Sequence, residues 1–201
     1  MTADYAICLL AGGQARRMGG GDKGELLIQG QTIIARLLSQ FQDAPYLFLN
    51  ANGDPQRFRH YNCPVIPDIL PDFQGPLSGI YAALNHVRQS RPDIKWVLSL
   101  PTDAPFIPAS LPQDMKNAIS QGAEIVSVQS QGRTHPVIGL WSVDLYDALG
   151  KALVEGHVRK IDKFTADYRC QYLDYEGDPD PFLNLNRPED YAHFRDWQDG
   201  N

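Results

Sequence analysis

Ala6-Ile7-Cys8-Leu9-Leu10-Ala11-Gly12-Gly13 decides the fold, because here an unbroken apolar run ends at a pair of glycines. A run this short, with no polar position, is typical of a strand that is buried on both faces of a parallel sheet. Two more such runs follow, Tyr46-Leu47-Phe48-Leu49 and Trp96-Val97-Leu98-Ser99-Leu100. Segments with apolar residues at helical spacing separate them. The alternation predicts an α/β fold, with a doubly wound, mostly parallel sheet and helices on both faces.

The same patterns locate the remaining elements. In the first half, helices are expected over residues 33–41 and 77–87, with Pro76 in the first turn of the second one. In the second half, we expect helices near residues 111–120 and 143–154, strands near 124–129, 136–141 and 172–175, and a last helix opening at Pro188. The turn Gln131-Gly132-Arg133 suggests that the strands beside it are antiparallel neighbours. Without a repeat or a linker, residues 1–201 are predicted to form a single domain.

Composition narrows the class of protein. The chain has 201 residues, 43% of them hydrophobic, which is enough for one sizeable core. A net charge of −6 argues against a nucleic-acid partner, whose binding depends on surplus Lys and Arg. Cys8, Cys63 and Cys170 are far apart and form no C-x-x-C pair, which favours reduced thiols in a cytoplasmic protein. The polar start at residues 1–4 predicts no signal peptide, and no apolar run reaches the ~20 residues of a membrane span.

The loop after the first apolar run has the composition of a phosphate-binding site. Residues 10–24 include six glycines, which let the backbone wrap closely and point N–H groups at an anion. Arg16, Arg17 and Lys23 supply the positive charge that a triphosphate requires. Because ligands of open α/β sheets bind outside the carboxyl ends of the strands, this loop is the first candidate site. Arg159, Lys160 and Lys163 form a second cluster, either another anion site or solvated loop charges.

Two familiar nucleotide motifs do not explain this loop. Gly19-x-Gly21-x-x-Gly24 has the letters of the dinucleotide fingerprint, but it begins nine residues beyond the strand end rather than in a tight strand-to-helix turn. The P-loop pattern fails because Gly24 stands where a Ser or Thr would hold magnesium. A flexible Gly-rich loop remains an alternative for the glycines, although it leaves the positioned Arg and Lys residues unexplained.

Polar residues follow three of the predicted strands. Asp103 comes three residues after the third apolar run, so it should share a sheet edge with the first loop, and its oxygens suit Mg²⁺. Asp103 could instead cap the following helix, but Pro101 and Pro105 stiffen its loop, which favours a metal ligand. Asn50 ends the second apolar run, and Asp68 follows the short apolar pair Val65-Ile66, which we also expect to be a strand; Asn and Asp are common turn formers at such ends. No Ser/His/Asp or Cys/His arrangement for nucleophilic catalysis is visible in the sequence.

Residues 10–23 resemble the L-A-G-G-x-x-x-R-M-G-x-x-K signature of nucleotidyltransferases with a Rossmann-like fold. Within that superfamily the chain resembles the molybdenum cofactor guanylyltransferase family. Ala15, where the commonest loop form has Ser, is the one departure. The segments that carry the closer resemblance span most of the chain: Asn50-Ala51-Asn52, Asp68, Gly75-Pro76-Leu77-Ser78-Gly79, Pro101-Thr102-Asp103-Ala104-Pro105, His135-Pro136 and Leu183-Asn184-Leu185-Asn186-Arg187-Pro188-Glu189-Asp190.

The resemblance implies a reaction and a set of residues. It implies transfer of GMP from GTP to the terminal phosphate of molybdopterin, with release of pyrophosphate and with Mg²⁺ as the cofactor. It implies that Asp103 binds the metal ion and that Lys23, Arg17, Asp103 and Asn186 are catalytic. The residues expected to bind the nucleotide are Leu10, Ala11, Gly12, Gly13, Lys23, Asn50, Asp68, Gly79 and Asp103.

The acceptor side rests on weaker patterns. Asn184 and Asn186 flank Leu185, so in an extended strand their side chains would share one face near the catalytic centre. Arg133 and His135 could contact the acceptor, although a His before Pro is also common as a polar residue at a strand end.

Other functions stay open at this point. One is a transferase that uses CTP or a sugar phosphate acceptor, and another is a non-catalytic nucleotide-binding regulatory or partner protein. If the resemblance holds, the partners besides GTP and molybdopterin include proteins of molybdenum cofactor biosynthesis and molybdoenzyme maturation, with neither nucleic acid nor membrane.

Overall fold

A seven-stranded sheet lies at the centre of the computed structural model, which describes residues 5–12, 23–70, 75–120, 122–185 and 190. The strand order is β5-β4-β1-β6-β8-β7-β9, and β2 and β3 form a separate two-stranded ribbon. The strands of the described part are β1 (Tyr5–Leu10), β2 (Leu27–Ile28), β3 (Gln31–Thr32), β4 (Tyr46–Asn50), β5 (Val65–Ile66), β6 (Trp96–Pro101), β7 (Ile125–Ser130), β8 (Arg133–Ser142) and β9 (Cys170–Tyr175).

The sheet is mostly parallel, which confirms the predicted fold class. β5, β4, β1 and β6 run side by side in one direction. β8 is antiparallel to both β6 and β7, which confirms the antiparallel pair expected around the turn at residues 131–133. β9 is parallel to β7, so β7 and β9 run in the direction of β6. Every strand of this sheet except β8 therefore ends at the same edge, which we call the carboxyl edge.

Helices cover both faces of the sheet. On one face, α1 and α3 pack with the inward side chains of β1, Ile7 and Leu9. On the other face, α2, α4 and α5 pack with Ala6 and Cys8 of the same strand. Successive side chains of β1 thus point to opposite faces of the sheet, and because helices cover both faces, every position of the strand has to be apolar. The helices are α1 (Ile33–Gln40), α2 (Pro76–Ser90), α3 (Leu111–Ile119), α4 (Tyr146–Val154) and α5 (Ile161–Thr165).

The sequence patterns missed the β2–β3 ribbon and several short helices, and they assigned one segment incorrectly. A 3₁₀ helix over Pro55–Tyr61 begins where the Asp54 side chain accepts a hydrogen bond from Gln56 N. Lys163 lies in α5 rather than in a loop, and α5 is too short for a recognisable apolar period. Residues 183–185 have no regular secondary structure, so the expected strand is wrong there. The helix expected from Pro188 lies almost wholly outside the described residues.

A buried hydrogen-bond network joins the antiparallel strand to the parallel part of the sheet. Trp141 in β8 is almost fully buried, and its Nε1–H donates to Ser99 Oγ of β6 over 2.9 Å. The Ser99 hydroxyl in turn donates to the carbonyl oxygen of Val137 over 2.6 Å. One hydroxyl thus satisfies a buried indole N–H, which would otherwise be costly in the core. Among the described residues, the structure has no helix with the length and apolar character needed to cross a membrane.

We expect Ser99→Ala to lower the free energy of unfolding by about 1–3 kcal/mol, because the Trp141 N–H would remain buried without an acceptor. Urea denaturation at 25 °C measures this loss. Ser120→Ala is the matched control, since Ser120 is exposed and its hydroxyl donates only to the Asn117 carbonyl within the same helical turn. The control should change stability by less than about 0.5 kcal/mol. Equal losses in the two variants would contradict this role of Ser99.

Candidate functional site

Three strand ends meet at the centre of the carboxyl edge. In the sheet register, Leu10 at the end of β1 lies opposite Asn50 of β4 on one side and Pro101 of β6 on the other. The chain segments that leave these strands therefore start next to one another. Ala11 N, directly after β1, donates to the carbonyl oxygen of Asn50 over 2.8 Å and extends this contact beyond the strand. The polar residues predicted from strand ends are thus brought together.

An ion pair between Lys23 and Asp103 lies at this edge. Lys23 Nζ is 3.3 Å from Asp103 Oδ2, although 80 residues separate the two along the chain. Only 21% and 19% of the two side chains are exposed. Burial raises the pKa of the Asp103 carboxyl above its ordinary value, and the neighbouring Lys23 ammonium only partly opposes that effect. Asp103 is therefore a carboxylate whose ionised form a second cation would favour.

The backbone around Asp103 is held from two sides. Thr102 Oγ1 donates to the carbonyl oxygen of Leu10 over 3.3 Å, which ties the loop to β1. Leu185 N donates to the carbonyl oxygen of Asp103 itself over 2.7 Å. Asp103 does not cap a helix, because α3 begins at Leu111, preceded by Ser110. The capping alternative therefore does not fit, and the side chain of Asp103 faces Lys23 instead.

Close packing at Gly24 fixes the backbone directly after Lys23. A Cβ on Gly24 would lie 2.7 Å from Ile34 Cδ1 and 2.9 Å from Thr102 Cβ, so a larger residue would displace the chain. Ile34 belongs to α1, and Thr102 directly precedes Asp103. The close packing of Gly24 therefore holds the backbone next to Lys23 against the backbone next to Asp103.

A hydrogen-bond chain anchors the other end of the same turn. Lys23, Gly24 and Glu25 form a 3₁₀ turn, and Glu25 Oε1 accepts from Tyr61 Oη over 2.9 Å. Tyr61 Oη also shares a 2.7 Å hydrogen bond with Thr32 Oγ1, the residue whose side chain caps α1. The turn that carries Lys23 is thereby tied to the N-terminus of α1.

A second polar group lies where β4 and β5 end. Asn50 Nδ2 donates to Asp68 Oδ1 over 3.0 Å, and Asn52 Nδ2 donates to Asp68 Oδ2 over 2.9 Å. Asp68 N completes the arrangement by donating to Asn52 Oδ1 over 2.8 Å. Both oxygens of the Asp68 carboxylate are thus occupied by amide donors from β4 and the residues after it.

The first turn of α2 packs against this group. A Cβ on Gly79 would overlap Asn50 Oδ1 and lie 2.9 Å from Leu10 Cδ2, so only glycine fits between them. Beside it, Ser78 is 2% exposed, and its hydroxyl has no hydrogen-bond partner among the residues that the structure describes. Four residues that are distant in sequence therefore form one cluster, which we call the Asn50 cluster: Leu10, Asn50, Asp68 and Gly79.

Several predicted residues contribute differently or cannot be described. Gly12 is exposed at the end of the described part of the first loop, and a Cβ there would meet nothing within 4 Å. Gly13, Arg17 and Asn186 lie outside the described residues. In the second cationic cluster, Arg159 Nη1 donates to the carbonyl oxygens of Leu153 and Val158, so this guanidinium is engaged by the end of α4 and by its own loop.

The structure brings together one polar cluster that the sequence did not reveal. Ser130 Oγ donates to Asp180 Oδ1 over 2.7 Å and lies 2.7 Å from His135 Nε2. Burial lowers the pKa of the His135 imidazole, against the opposing effect of Asp180. No motif could have predicted this cluster, since Asp180 is 50 residues from Ser130. We call these three residues the Ser130 cluster.

The Ser130 cluster is not a hydrolytic triad. In such a triad the histidine accepts the serine proton and the carboxylate orients the histidine. Here the serine lies between the two, because its proton is donated to Asp180 and the His135 Nε2–H can then donate to its oxygen. Ser130 is also only 2% exposed, so its oxygen is not open to a substrate. The cluster has the geometry of a structural support.

Comparison with known proteins finds similar sequences over most of the chain. Residues 7–170 match the family model described as the MobA-like NTP transferase domain. A molybdenum cofactor guanylyltransferase of Rhodopseudomonas palustris is 44% identical over 187 residues, covering 92% of this chain and 87% of the relative.

Two solved structures share the fold. Molybdopterin-guanine dinucleotide biosynthesis protein A of Archaeoglobus fulgidus has a TM-score of 0.76 at 21% identity, covering 94% of this chain and 96% of its own. Rv0371C of Mycobacterium tuberculosis, solved in complex with manganese, has a TM-score of 0.64 at 13% identity, covering 95% of this chain and 97% of its own.

We expect Gly79→Ala to destabilise the protein by about 1–3 kcal/mol, although alanine is the better helix former by about 1 kcal/mol. The reason is the overlap of the new Cβ with the Asn50 side chain. Urea denaturation measures the loss, and the Asn50 side-chain amide signals in an NMR spectrum should shift.

Gly150→Ala in α4 is the matched control for Gly79→Ala. Its Cβ would also make a close contact, 2.9 Å from the hydroxyl and 3.0 Å from Cε2 of Tyr81, but this contact does not involve Asn50. The Asn50 signals should stay in place in this control. A Gly79→Ala protein with unchanged stability and unchanged Asn50 signals would refute the close approach.

Proposed function

This chain belongs to the MobA-like NTP transferase family, among the molybdenum cofactor guanylyltransferases, and we propose that it transfers GMP from GTP to the terminal phosphate of molybdopterin and releases pyrophosphate. The observation that carries this proposal is the Lys23–Asp103 ion pair at the carboxyl edge, next to the Asn50 cluster. A nucleoside triphosphate needs a cation for its phosphates, an oxygen ligand for its metal ion and polar groups for its nucleoside. The ion pair offers the first two, and the Asn50 cluster offers polar groups beside it.

The proposed reaction needs little acid–base chemistry from the protein. A phosphate-monoester oxygen of molybdopterin attacks the α-phosphorus of GTP in line with the departing pyrophosphate. The second pKa of a phosphate monoester is ~6, so this nucleophile is already largely ionised at neutral pH. The difficulty is instead to bring two anions together, which requires alignment and neutralised charge. Lys23 supplies one such charge near the leaving group, and we assign the same task to Arg17 in the first loop.

A divalent cation fits the donor chemistry of Asp103. Mg²⁺ is commonly held by one or two carboxylates together with substrate phosphates and water, so Asp103 can serve without a cage of protein ligands. In the described part of the chain, no group of three His, Cys, Asp or Glu side chains comes together to hold a metal ion. When bound at Asp103, Mg²⁺ would neutralise phosphate charge as the bond to the α-phosphorus changes.

The remaining residues divide between nucleotide and acceptor. We propose that Leu10, Ala11, Gly12 and Gly13 bind the phosphates through their backbone. Asn50, Asp68 and Gly79 of the Asn50 cluster would then contact the nucleoside. Asn186 would complete the acceptor or metal side of the site.

On the same proposal the enzyme works in the cytoplasm. Proteins of molybdenum cofactor biosynthesis and molybdoenzyme maturation would be its partners, and neither nucleic acid nor membrane would be one. Three cysteines that form no disulfide and a net charge of −6 support this part of the proposal.

We expect the protein, given Mg²⁺ and molybdopterin, to release pyrophosphate from GTP with a kcat/KM roughly tenfold or more above that for CTP or ATP. The measurement is a coupled pyrophosphate assay together with chromatography of the dinucleotide product. A reaction without acceptor and one with a chelator are the controls, and both should release almost no pyrophosphate. Preference for CTP would favour the cytidylyl alternative, and binding of GTP without turnover would favour a non-catalytic partner protein.

A further inference from the structure

The Ser130 cluster lies on the same sheet edge as the Lys23–Asp103 pair. Ser130 ends β7 and is paired with Tyr175 at the end of β9, while His135 lies near the start of the antiparallel β8. All three strands therefore present these residues at the carboxyl edge. After β9, residues 176–185 run along this edge and end with Leu185 at Asp103. This returning segment connects the Ser130 cluster with the site.

Asp180 fixes the turn in the middle of the returning segment. Its Oδ1 accepts two hydrogen bonds, one from Ser130 Oγ over 2.7 Å and one from Phe182 N over 2.9 Å. Its carbonyl oxygen accepts a third from Leu183 N over 3.1 Å. One carboxylate oxygen thus joins the turn to the end of β7, and the hydroxyl that holds it is buried.

Two fully buried side chains extend this anchor toward Asp103. The Phe182 ring packs between the imidazole of His135, with 5.2 Å between ring centres, and the ring of Tyr175, with 5.1 Å. Leu185, three residues further on, is also fully buried, and its N–H donates to the carbonyl oxygen of Asp103 over 2.7 Å. The segment from Asp180 to Leu185 is therefore fixed at both ends.

Asp103 needs such a support, because it lies in residues 102–110, where no helix or strand holds the backbone. A catalytic group must be held within about 0.5 Å of its productive position by the residues around it. A misplacement of about 1 Å can cost on the order of 100-fold in rate.

We propose that Ser130 and Asp180 are positioning residues, which hold Asp103 in place through the buried segment that ends at Leu185. This inference rests on the proposed function for its effect on rate, but the support of the Asp103 backbone is a property of the fold. The role assigned to Asp180 is that of a hydrogen-bond acceptor. The two hydrogen bonds to its Oδ1 come from neutral groups, a hydroxyl and a backbone N–H, so an amide oxygen in the same place can accept them.

Two variants of Asp180 test its role as a hydrogen-bond acceptor. Asp180→Asn keeps an oxygen that can accept from Ser130 and Phe182, whereas Asp180→Ala removes it. We expect Asp180→Ala and Ser130→Ala to lower kcat roughly 10- to 100-fold, with the KM for GTP within about twofold of wild type. Asp180→Asn should keep most of the wild-type kcat.

A second readout does not depend on activity. Amide hydrogen exchange resolved by NMR reports on the Leu185 N–H, which should exchange faster in Asp180→Ala and Ser130→Ala and at the wild-type rate in Asp180→Asn. The matched control is Ser142→Ala at the opposite edge of the sheet. Its hydroxyl accepts a hydrogen bond from Asp144 N over 3.3 Å, so this variant also loses one serine hydrogen bond, but far from the site.

The outcomes separate this inference from the proposed function. Unchanged Leu185 exchange in Asp180→Ala, or kinetics like those of Ser142→Ala, would overturn the inference. Equal damage from Asp180→Asn and Asp180→Ala would also overturn it, because the charge would then be what matters. If wild-type protein makes no dinucleotide but Leu185 exchange responds as expected, the proposed function fails and the support of Asp103 stands.

Discussion

The ion pair between Lys23 and Asp103 is the interaction on which the site depends. It joins the segment that follows β1 to the loop that follows β6, two parts of the chain that are 80 residues apart. Burial opposes the charge of Asp103 and raises its pKa, whereas the Lys23 ammonium beside it favours the ionised form. Such a pair contributes little to stability after its desolvation is counted. Its value is that it places an ammonium and a carboxylate together at one point on the sheet edge.

Strand direction is what makes this placement possible. Leu10, Asn50 and Pro101 are register neighbours because β1, β4 and β6 are parallel, so the polar residues after them converge without long loops. The antiparallel β8 allows β7 and β9 to continue the sheet in the original direction. The returning segment after β9 can then reach Asp103. Residues from both halves of the sheet therefore meet at the carboxyl edge.

The sequence predicts those parts of the molecule that depend on local pattern. Strands buried on both faces leave unbroken apolar runs, so β1, β4 and β6 are visible, and their parallel order brings Asn50 and Asp103 to one edge. The five-residue α5 leaves no period to detect, and the contact of Gly79 with Asn50 depends on the packing of a helix against the sheet. The roles of Gly13, Arg17 and Asn186 stay predictions. Contacts such as Ser130 with Asp180 need the folded chain.

The Lys23–Asp103 pair is tested by the kinetics of Lys23→Ala, Asp103→Asn and the double variant, with Asp147→Asn as a control, because Asp147 pairs with Arg88 on an exposed surface. We expect each single change to lower kcat by about 100-fold, the usual scale for one electrostatic stabiliser. The double variant should lose little more than the worse single variant, since groups that act as a unit are not additive. Losses that multiply in the double variant, or a change in KM alone, would contradict a joint role for Lys23 and Asp103.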